Sequence, residues 1–199
     1  EMKQPDLENF VGIHNRKYCD GGQCIRLYKT FMKKKDPEAA NIVMGHNEED
    51  LLGLGTIFSL LAYKKLYDGE YHPKQCVILE QELKIVIELS AAAPVNVSCG
   101  NSDFYLSVNG CEARMLVHLK EGKLRQYYRN YKDYEFIPGE DTAMPKSITR
   151  YMDKSLKIAT TPQTCYTWFN CDEDFLNNEK KQMQYLTHTL PFFLDNLNK

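Results

Sequence analysis

No stretch of this sequence is apolar enough to span a bilayer, because a transmembrane helix needs about 18 or more consecutive apolar residues and no such run occurs. Net charge is scarce as well, since 25 basic and 27 acidic residues leave a formal charge of −2. Bulk electrostatics therefore give no reason to expect a nucleic acid or an anionic membrane as a partner. We predict a protein with neither a transmembrane helix nor a nucleic-acid partner.

The signatures of common enzyme classes are also missing. HExxH, GxSxG, the P-loop and GxGxxG do not occur, and these are motifs that place a zinc ion, a serine nucleophile or a nucleotide phosphate. The five histidines are scattered along the chain. The adjacent carboxylates Glu140 and Asp141 are interpreted as a solvated turn. We therefore predict no enzymatic activity, no cofactor and no metal site.

Seven cysteines, by contrast, are many for a cytosolic protein of 199 residues. Their spacing does not match the paired ligands of a zinc site. A glycosylation sequon, Asn96-Val97-Ser98, follows Pro94 in a predicted loop. Both features favour a secreted or extracellular ectodomain with three disulfides and one further thiol. The candidates for these bridges are Cys19, Cys24, Cys76, Cys99, Cys111, Cys165 and Cys171.

The clearest pattern in the chain is a β-meander over residues 103–137. Apolar and polar residues alternate there in successive runs, as in half-buried strands. Asn109-Gly110 and Glu121-Gly122 separate the runs, and Asn-Gly is a strong signal for a hairpin turn. With two-residue turns, all apolar side chains of the meander fall on one face. We expect helices to cover that face.

The register of the meander follows from the same assumption. Two-residue turns would pair Val108 with Cys111 and Leu119 with Leu124. Directly opposite residues lie on the same face of an antiparallel pair and contact one another. These pairings are therefore a specific test of the meander.

The first third of the chain has weaker patterns. Residues 10–32 are predicted to form a hairpin, and residues 39–44 a further short strand. The three lysines at 33–35 are interpreted as a solvated strand end. Residues 46–50 are interpreted as an acidic turn. Residues 51–67 are apolar and fit either a strand or a helix, because two glycines weaken the helical pattern.

Residues 74–93 decide which fold is predicted. With a period of two, their large aliphatic residues share one face of a strand. With a period of 3.6, they form a stripe, and charged residues follow one another at i, i+4 on the opposite side. Pro73 and Pro94 punctuate the segment as they would a helix. We predict a helix and keep the strand as the alternative.

The C-terminal third is predicted to be mostly helical. Residues 139–145 are interpreted as a loop and residues 147–158 as a short helix. Residues 172–198 form the strongest helical pattern in the chain, with Asp172 as its cap and Pro191 as the site of a kink.

These elements predict an α+β fold, an antiparallel β-sheet covered on one face by helices and joined by disulfides. We predict a single domain over residues 1–199, with two pseudo-repeated halves, 1–94 and 95–199, as an option.

Three short strings carry a resemblance to a known family. Residues 104–112 resemble the first strand of the second half of an MHC class I-like α1–α2 platform. Residues 132–137 are similar to a later strand of that half, and residues 185–194 to the last helix of the lipid-presenting branch. The order of strands, helix, meander and broken helices is similar to that platform as well.

This resemblance implies a function and a bridge. A divergent host or viral platform would act outside the cell as a receptor ligand or an immunomodulatory decoy, with a cell-surface receptor or immune ligand as its partner and room for a lipid in a groove. The family bridges its strand cysteine, here Cys111, to a helix cysteine. Leu190 stands at that helix position, so the resemblance implies Cys165 or Cys171 as the partner of Cys111.

Two alternatives remain open. If residues 76–90 form a strand, a helix followed by a meander resembles a cystatin-type protease inhibitor. A lipocalin-like carrier of a small hydrophobic ligand is the third option. The tyrosines of the meander either pack against helices, which we favour, or form an aromatic patch for a protein partner. They are Tyr127, Tyr128, Tyr131 and Tyr134.

Overall fold

Helices make up the first third of the chain and strands most of the rest in the computed structural model, which describes residues 2–14, 16–18 and 20–197. The chain divides into two compact units, Glu1–Leu61 and Ala62–Lys199. The pseudo-repeated halves predicted from the sequence meet at residues 94 and 95, whereas these units meet at residues 61 and 62.

The first unit is helical. Its helices are α1 (Gln4–Phe10), α2 (Gly21–Lys34) and α3 (Pro37–Ile57), followed by a 3₁₀ turn at Phe58–Leu60. The side chain of Asp20 caps α2 by accepting a hydrogen bond of 2.9 Å from the backbone N–H of Gln23. Asp36 caps α3, and Pro37 occupies the first turn, where its missing N–H has no cost. Aspartate caps therefore fix the start of both longer helices.

The predicted hairpin at 10–32, the strand at 39–44 and the acidic turn at 46–50 are all wrong, because α2 and α3 cover these segments. The buried residues of α3 are the small ones, Ala39, Gly45 and Gly53. Several large apolar residues of the same helix are exposed: Met44, Leu51, Leu52 and Leu54. These large apolar residues of α3 therefore lie on its exposed side, whereas its packed side carries small residues.

The second unit contains all the strands of the described residues. Its helices are α4 (Leu61–Asp68), α5 (Lys146–Thr149), α6 (Glu173–Leu176) and α7 (Glu179–Asp195), with 3₁₀ turns at Tyr131–Asp133 and Lys154–Leu156. Its strands are β1 (Tyr71–Leu79), β2 (Glu82–Leu89), β3 (Val97–Gly100), β4 (Phe104–Asn109), β5 (Glu112–His118), β6 (Lys123–Tyr127), β7 (Tyr134–Ile137), β8 (Thr142–Pro145), β9 (Ile158–Ala159) and β10 (Tyr166–Asn170).

These strands form three antiparallel sheets. The largest has five strands in the order β1-β2-β5-β4-β3, and smaller sheets are formed by β10-β6 and by β8-β7-β9. All the paired strands run antiparallel. The predicted α+β class, with antiparallel sheet and several helices, is confirmed.

The predicted helix over residues 74–93 is wrong, since β1 and β2 form a hairpin there. Its two-residue turn places Glu80 in the left-handed region, with φ of 56°. Glu88, whose charge fitted a helical spacing with Lys84, instead pairs across the strands with Lys74 at 2.5 Å. The alternating aliphatic residues of β2 are fully or nearly fully buried: Leu83, Ile85, Ile87 and Leu89. The alternation of apolar residues with a period of two was therefore the correct indication of the secondary structure of this segment.

The meander is confirmed in part. β4 and β5 form the predicted hairpin, and their apolar residues are buried on one face. Val108 pairs with Ala113 and not with Cys111, so the turn residues are Gly110 and Cys111, one position later than predicted. Gly110 has φ of 54°, which glycine adopts without strain.

The second predicted turn is present, but it does not continue the same sheet. Lys120 and Lys123 form a bridge around Glu121-Gly122, as a two-residue turn requires. β6, the strand after this turn, lies outside the five-stranded sheet and pairs with β10.

The C-terminal segment is more broken than predicted. The predicted loop at 139–145 contains β8, and the helical part of 147–158 is limited to α5 and a 3₁₀ turn. Asp172 is confirmed as a cap, accepting 3.0 Å from the N–H of Phe175. The predicted long helix is interrupted before α7, which contains Pro191.

The core of the second unit lies between the five-stranded sheet and α7. Tyr185, Leu186, Leu190 and Phe193 of α7 are all buried. The ring of Phe193 stacks on Phe104 at 4.2 Å, and that of Phe192 on Tyr127 at 3.7 Å. α7 therefore covers the apolar face that the meander pattern predicted.

The predicted disulfides are not supported. Five cysteines of the described chain carry free thiols: Cys76, Cys99, Cys111, Cys165 and Cys171. Cys165 and Cys171 flank β10 at its two ends, and Cys111 is exposed in a hairpin turn. All three thiols are free, so neither of the bridges that the family resemblance implied is formed. Burial raises the pKa of Cys76 to about 12. Cys24 is buried in α2, and Cys19 lies outside the described residues.

None of the helices in the described ranges combines the length and apolar character needed to cross a membrane.

Burial on β2 predicts a clear stability difference between two isoleucines. Ile85 is fully buried, whereas Ile78 on the neighbouring strand is 38% exposed. We expect Ile85→Ala to lower the free energy of unfolding by about 2–5 kcal/mol, because it leaves a cavity in the core. The same change at Ile78 should cost about 0.5–1 kcal/mol. Urea unfolding of both variants measures the difference, and equal losses would contradict the full burial of Ile85 and the partial exposure of Ile78.

Candidate functional site

A charged network lies inside the first unit, centred on Arg16. Its guanidinium donates from Nε to Oε2 of Glu8 at 2.9 Å and from Nη2 to Oε1 at 2.5 Å. Nη1 donates to Oδ1 of Asp50 on α3. A planar guanidinium is suited to such paired contacts with carboxylates. Arg16 therefore joins α1 to α3 through charge.

Glu8 is the most buried carboxylate of the network, with 2% of its side chain exposed. Gln4 Nε2 also donates to it, at 2.9 Å. The hydrogen bonds from Arg16 hold the pKa of Glu8 below its ordinary value of 4.5, against the opposing effect of burial. The Glu8 carboxylate in turn raises the pKa of Arg16. Both groups are therefore ionised at neutral pH.

Two glycines of α3 make room for this network. A Cβ at Gly53 would lie 2.1 Å from Oε1 of Glu8, and a Cβ at Gly45 would lie 2.3 Å from the ring of Tyr18. Of the two glycines that weakened the helical pattern at residues 51–67, Gly53 is thus explained by the close approach of Glu8, whereas a Cβ at Gly55 would meet no atom within 4 Å.

Carboxylates on α3 also hold the segment that carries Arg16. Glu49 accepts hydrogen bonds from the backbone N–H groups of Lys17 at 2.8 Å and Tyr18 at 3.2 Å. Successive acidic residues, Glu49 and Asp50, thus position the connection between α1 and α2.

His46 and Asp50 form the outer part of the network. They lie one turn apart on α3, with 3.5 Å between His46 Nε2 and Asp50 Oδ2. The side chain of Asp50 is 35% exposed, so its carboxylate is accessible from solvent. Nδ1 of His46 is buried and has no hydrogen-bond partner among the described residues. An imidazole beside a carboxylate is a common arrangement for proton transfer or for contact with a phosphate.

The network does not amount to a metal centre. Among the residues that the structure describes, no group of three or more His, Cys, Asp or Glu side chains is placed to hold a metal ion. Glu8 is already committed to Arg16 and Gln4. Asp50 is therefore the one carboxylate of the Arg16 network with solvent access.

The residues predicted as sites lie elsewhere in the chain. Asn96 is exposed just before β3, which agrees with its predicted loop position, and its glycosylation stays a prediction. Tyr127 is buried in the core, and Tyr128 stacks on Tyr134 with their ring centroids 5.2 Å apart. The packing interpretation therefore accounts for these three rings.

Sequence reasoning missed Glu8, Arg16 and Asp50. The available signal was the spacing of His46 and Asp50, which share a helical face at i, i+4. Interpreted as a turn, the same residues gave no such relation. The contacts of Arg16 could not be predicted, because they join residues 34 positions apart in the chain.

Comparison with known proteins gives one match. Residues 2–62 match a family model described as RNase H superfamily. The match covers less than a third of the chain. No curated protein and no solved structure matches.

The buried pair predicts how acid affects the first unit. Because the folded pKa of Glu8 lies below 4.5, its stabilising contribution is present above the unfolded pKa and is lost as the pH falls through the folded pKa. We expect Glu8→Gln to lower stability at neutral pH by about 1.5–3 kcal/mol, the usual contribution of hydrogen bonds to a charged group.

Thermal unfolding followed by circular dichroism measures this effect. The difference between wild type and Glu8→Gln should shrink as the pH drops below 4.5. The exposed Glu48→Gln is the matched control and should follow wild type throughout. A difference that grows in acid would contradict the lowered pKa.

The glycines of α3 give a second prediction. Gly55→Ala meets no atom within 4 Å and should stabilise the helix by about 0.5–1 kcal/mol. Gly53→Ala gains the same helix propensity but collides with the Glu8 carboxylate, so it should be destabilising. Thermal melts of the two variants give opposite shifts if Glu8 lies against α3. Stabilisation by both variants would place Glu8 elsewhere.

Proposed function

We propose that this protein acts on nucleic acid and that its first unit is an RNase H-like module. One observation carries the proposal: the family match at residues 2–62 coincides with the compact unit Glu1–Leu61. Similarity of sequence and compactness of the folded chain are separate properties, and both place a boundary at the same residues. A match that ends where a folding unit ends is typical of a true module.

The Arg16 network supports the proposal that the first unit contacts the substrate directly. Ion pairs buried in a small helical unit contribute little net stability, so they are weak candidates for a purely structural purpose. The network holds Asp50 and His46 on one face of α3 with the carboxylate open to solvent. In this proposal, Asp50 contacts the attacking water, His46 contacts the substrate phosphate, and Arg16 with Glu8 positions Asp50.

Nucleases of many kinds use carboxylates to hold divalent cations. The described residues of the Arg16 network supply too few ligands for such a site. We therefore assign no metal-dependent step to this chain. Its own contribution in the proposal is to position Asp50 and His46.

Charge favours nucleic acid locally, although the net charge of −2 does not. Lys33 and Lys34 lie in the last turn of α2, and Lys35 caps it. Cations at a helix C-terminus also interact favourably with the helix dipole. A local basic cluster is sufficient to bind phosphates and release counterions, irrespective of the total charge.

The extracellular functions predicted from the sequence stay predictions. The cystatin-like inhibitor was the alternative if residues 76–90 form a strand, and the lipocalin-like carrier was the third option. The receptor ligand with an MHC class I-like platform relied in part on disulfide-type cysteine usage. The free thiols remove that support. The strand at residues 82–89 also departs from the element order on which the platform resemblance relied.

Cleavage of labelled RNA–DNA hybrid, single-stranded RNA and single-stranded DNA, each with Mg²⁺ or Mn²⁺, tests the proposal. We expect Asp50→Asn to reduce cleavage about a hundredfold or more, which is a usual effect for a group that assists proton transfer. The matched control Glu48→Gln removes a neighbouring exposed charge and should keep full activity.

Circular dichroism must show that Asp50→Asn keeps its helices, since Asp50 also accepts a hydrogen bond from Arg16. Absence of both cleavage and binding for all three nucleic acids would contradict the proposal. So would equal losses in the two variants.

A further inference from the structure

A second polar site lies wholly within the second unit, on the small sheet formed by β6 and β10. Lys123, Arg125 and Tyr127 alternate along one face of β6. Trp168 of β10 lies directly opposite Arg125, and Tyr166 lies opposite Tyr127. Directly opposite residues share a face, so this face combines cations with aromatic rings.

Arg125 is enclosed between two of these rings. Its guanidinium carbon is 4.5 Å from the ring centroid of Tyr166 and 4.6 Å from that of Trp168. These are favourable cation–π distances. The Nε of Arg125 is buried and has no hydrogen-bond partner in the described part of the chain. A buried donor without an acceptor is costly, which suggests that an acceptor arrives from outside.

The indole of Trp168 is held in place by Asp141. Nε1 donates to the carbonyl oxygen of Asp141 at 2.9 Å and to its Oδ2 at 3.2 Å. The hydroxyl of Tyr166 donates to Oδ1 of the same carboxylate at 2.6 Å. The Asp141 carboxylate is therefore used to position both rings.

The turn before β6 adds one more cation, Lys120. Lys120 and Lys123 pair directly across the tight turn, exchanging backbone hydrogen bonds of 3.0 Å in both directions. Like charges directly opposite one another are destabilising. Nζ of Lys120 also lies 5.7 Å from the ring centroid of Trp168.

None of these three cations has an anionic partner. No ion pair in the described ranges includes Lys120, Lys123 or Arg125. All three line a cavity of about 300 Å³ in which Asp103 is the one carboxylate. Lys120 and Lys123 also border an adjoining pocket that contains Glu121, Glu140 and Asp141. The cavity therefore has an excess of positive charge that a bound anion would balance.

The rest of the lining defines the other half of the ligand. Val117 and Phe193 give the cavity an apolar wall, and Trp168 gives it an aromatic surface. A volume of about 300 Å³ lies at the small end of ligand sites. That volume favours a small ligand over one with long acyl chains.

We propose that this cavity binds a nucleotide, with its phosphate on Lys120, Lys123 and Arg125 and its base against Trp168. Cationic side chains beside aromatic rings are the usual means of holding a phosphate and an adjoining base. The nucleotide is either free or a unit of a single strand, since both present the same chemistry. This inference is independent of the Arg16 network, because different residues in a different unit recognise the ligand.

Tryptophan fluorescence tests the proposal directly, because Trp168 is the one tryptophan of the sequence. The full chain is titrated with AMP and, separately, with a short single-stranded oligoadenylate. Stacking of adenine on the indole should quench its emission in a saturable way. Inorganic phosphate should reverse the quenching by competing for the lysines.

The double variant Lys120→Gln with Lys123→Gln should weaken binding about tenfold or more, because it removes two phosphate contacts. Both lysines are exposed, so the fold should be kept, and each single variant gives a smaller loss as a check. Lys180→Gln is the matched control, since it removes the same charge from an exposed position outside the cavity lining.

The outcomes separate the two sources of the ligand. Saturable quenching by AMP as strong as that by oligoadenylate assigns the cavity to free nucleotides, and much tighter binding of the oligonucleotide assigns it to a strand. Quenching by neither ligand overturns the proposal. Equal weakening in Lys180→Gln also overturns it, because binding would then be non-specific attraction. The fluorescence titration does not depend on cleavage, so it tests the nucleotide cavity even if the nuclease assay is negative.

Discussion

The second unit depends on one packing constraint, the burial of the apolar face of the five-stranded sheet against α7. Stacked rings mark this contact, Phe193 on Phe104 and Phe192 on Tyr127. Since Tyr127 belongs to β6, the helix that covers the large sheet also contacts the small one. The position of β6 in turn fixes β10 through the ladder, which places Trp168 opposite Arg125. The position of the cationic cavity therefore depends on the packing of α7 against both sheets.

The first unit is built on the opposite principle. Its inner side is lined by small residues and by a buried ion pair, and several large apolar residues of α3 face outward. Burial of Glu8 is tolerable only because Arg16 neutralises it and Gln4 completes its hydrogen bonds. Gly53 then has to remain without a side chain. A unit constructed in this way specifies the positions of charged groups at the expense of hydrophobic stability.

The sequence predicted the α+β class, the β4–β5 hairpin and the cap at Asp172, because each depends on neighbours in the chain. It failed where local patterns were ambiguous. Residues 82–89 satisfy both periods, and the strand is selected by pairing with β1 on one side and with β5, whose residues lie about 30 positions away, on the other. In α3, burial of small residues inverted the hydrophobic signal. Neither site could be predicted in full, since Arg16 meets Asp50, and Arg125 meets Trp168, through tertiary contacts.

The sequence nevertheless contained more information about the cationic cavity than about the Arg16 network. Lys120, Lys123 and Arg125 fall within six residues of one another, so their shared face follows from the predicted turn and the alternation of a strand. What the sequence could not supply was that, among the described residues, none of the nearby carboxylates forms an ion pair with these cations, which depends on where Asp103, Glu140 and Asp141 lie. Asp141 is close in space but is engaged by Trp168 and Tyr166. Unbalanced charge, more than any motif, is therefore the property that distinguishes this cavity from an ordinary solvated turn.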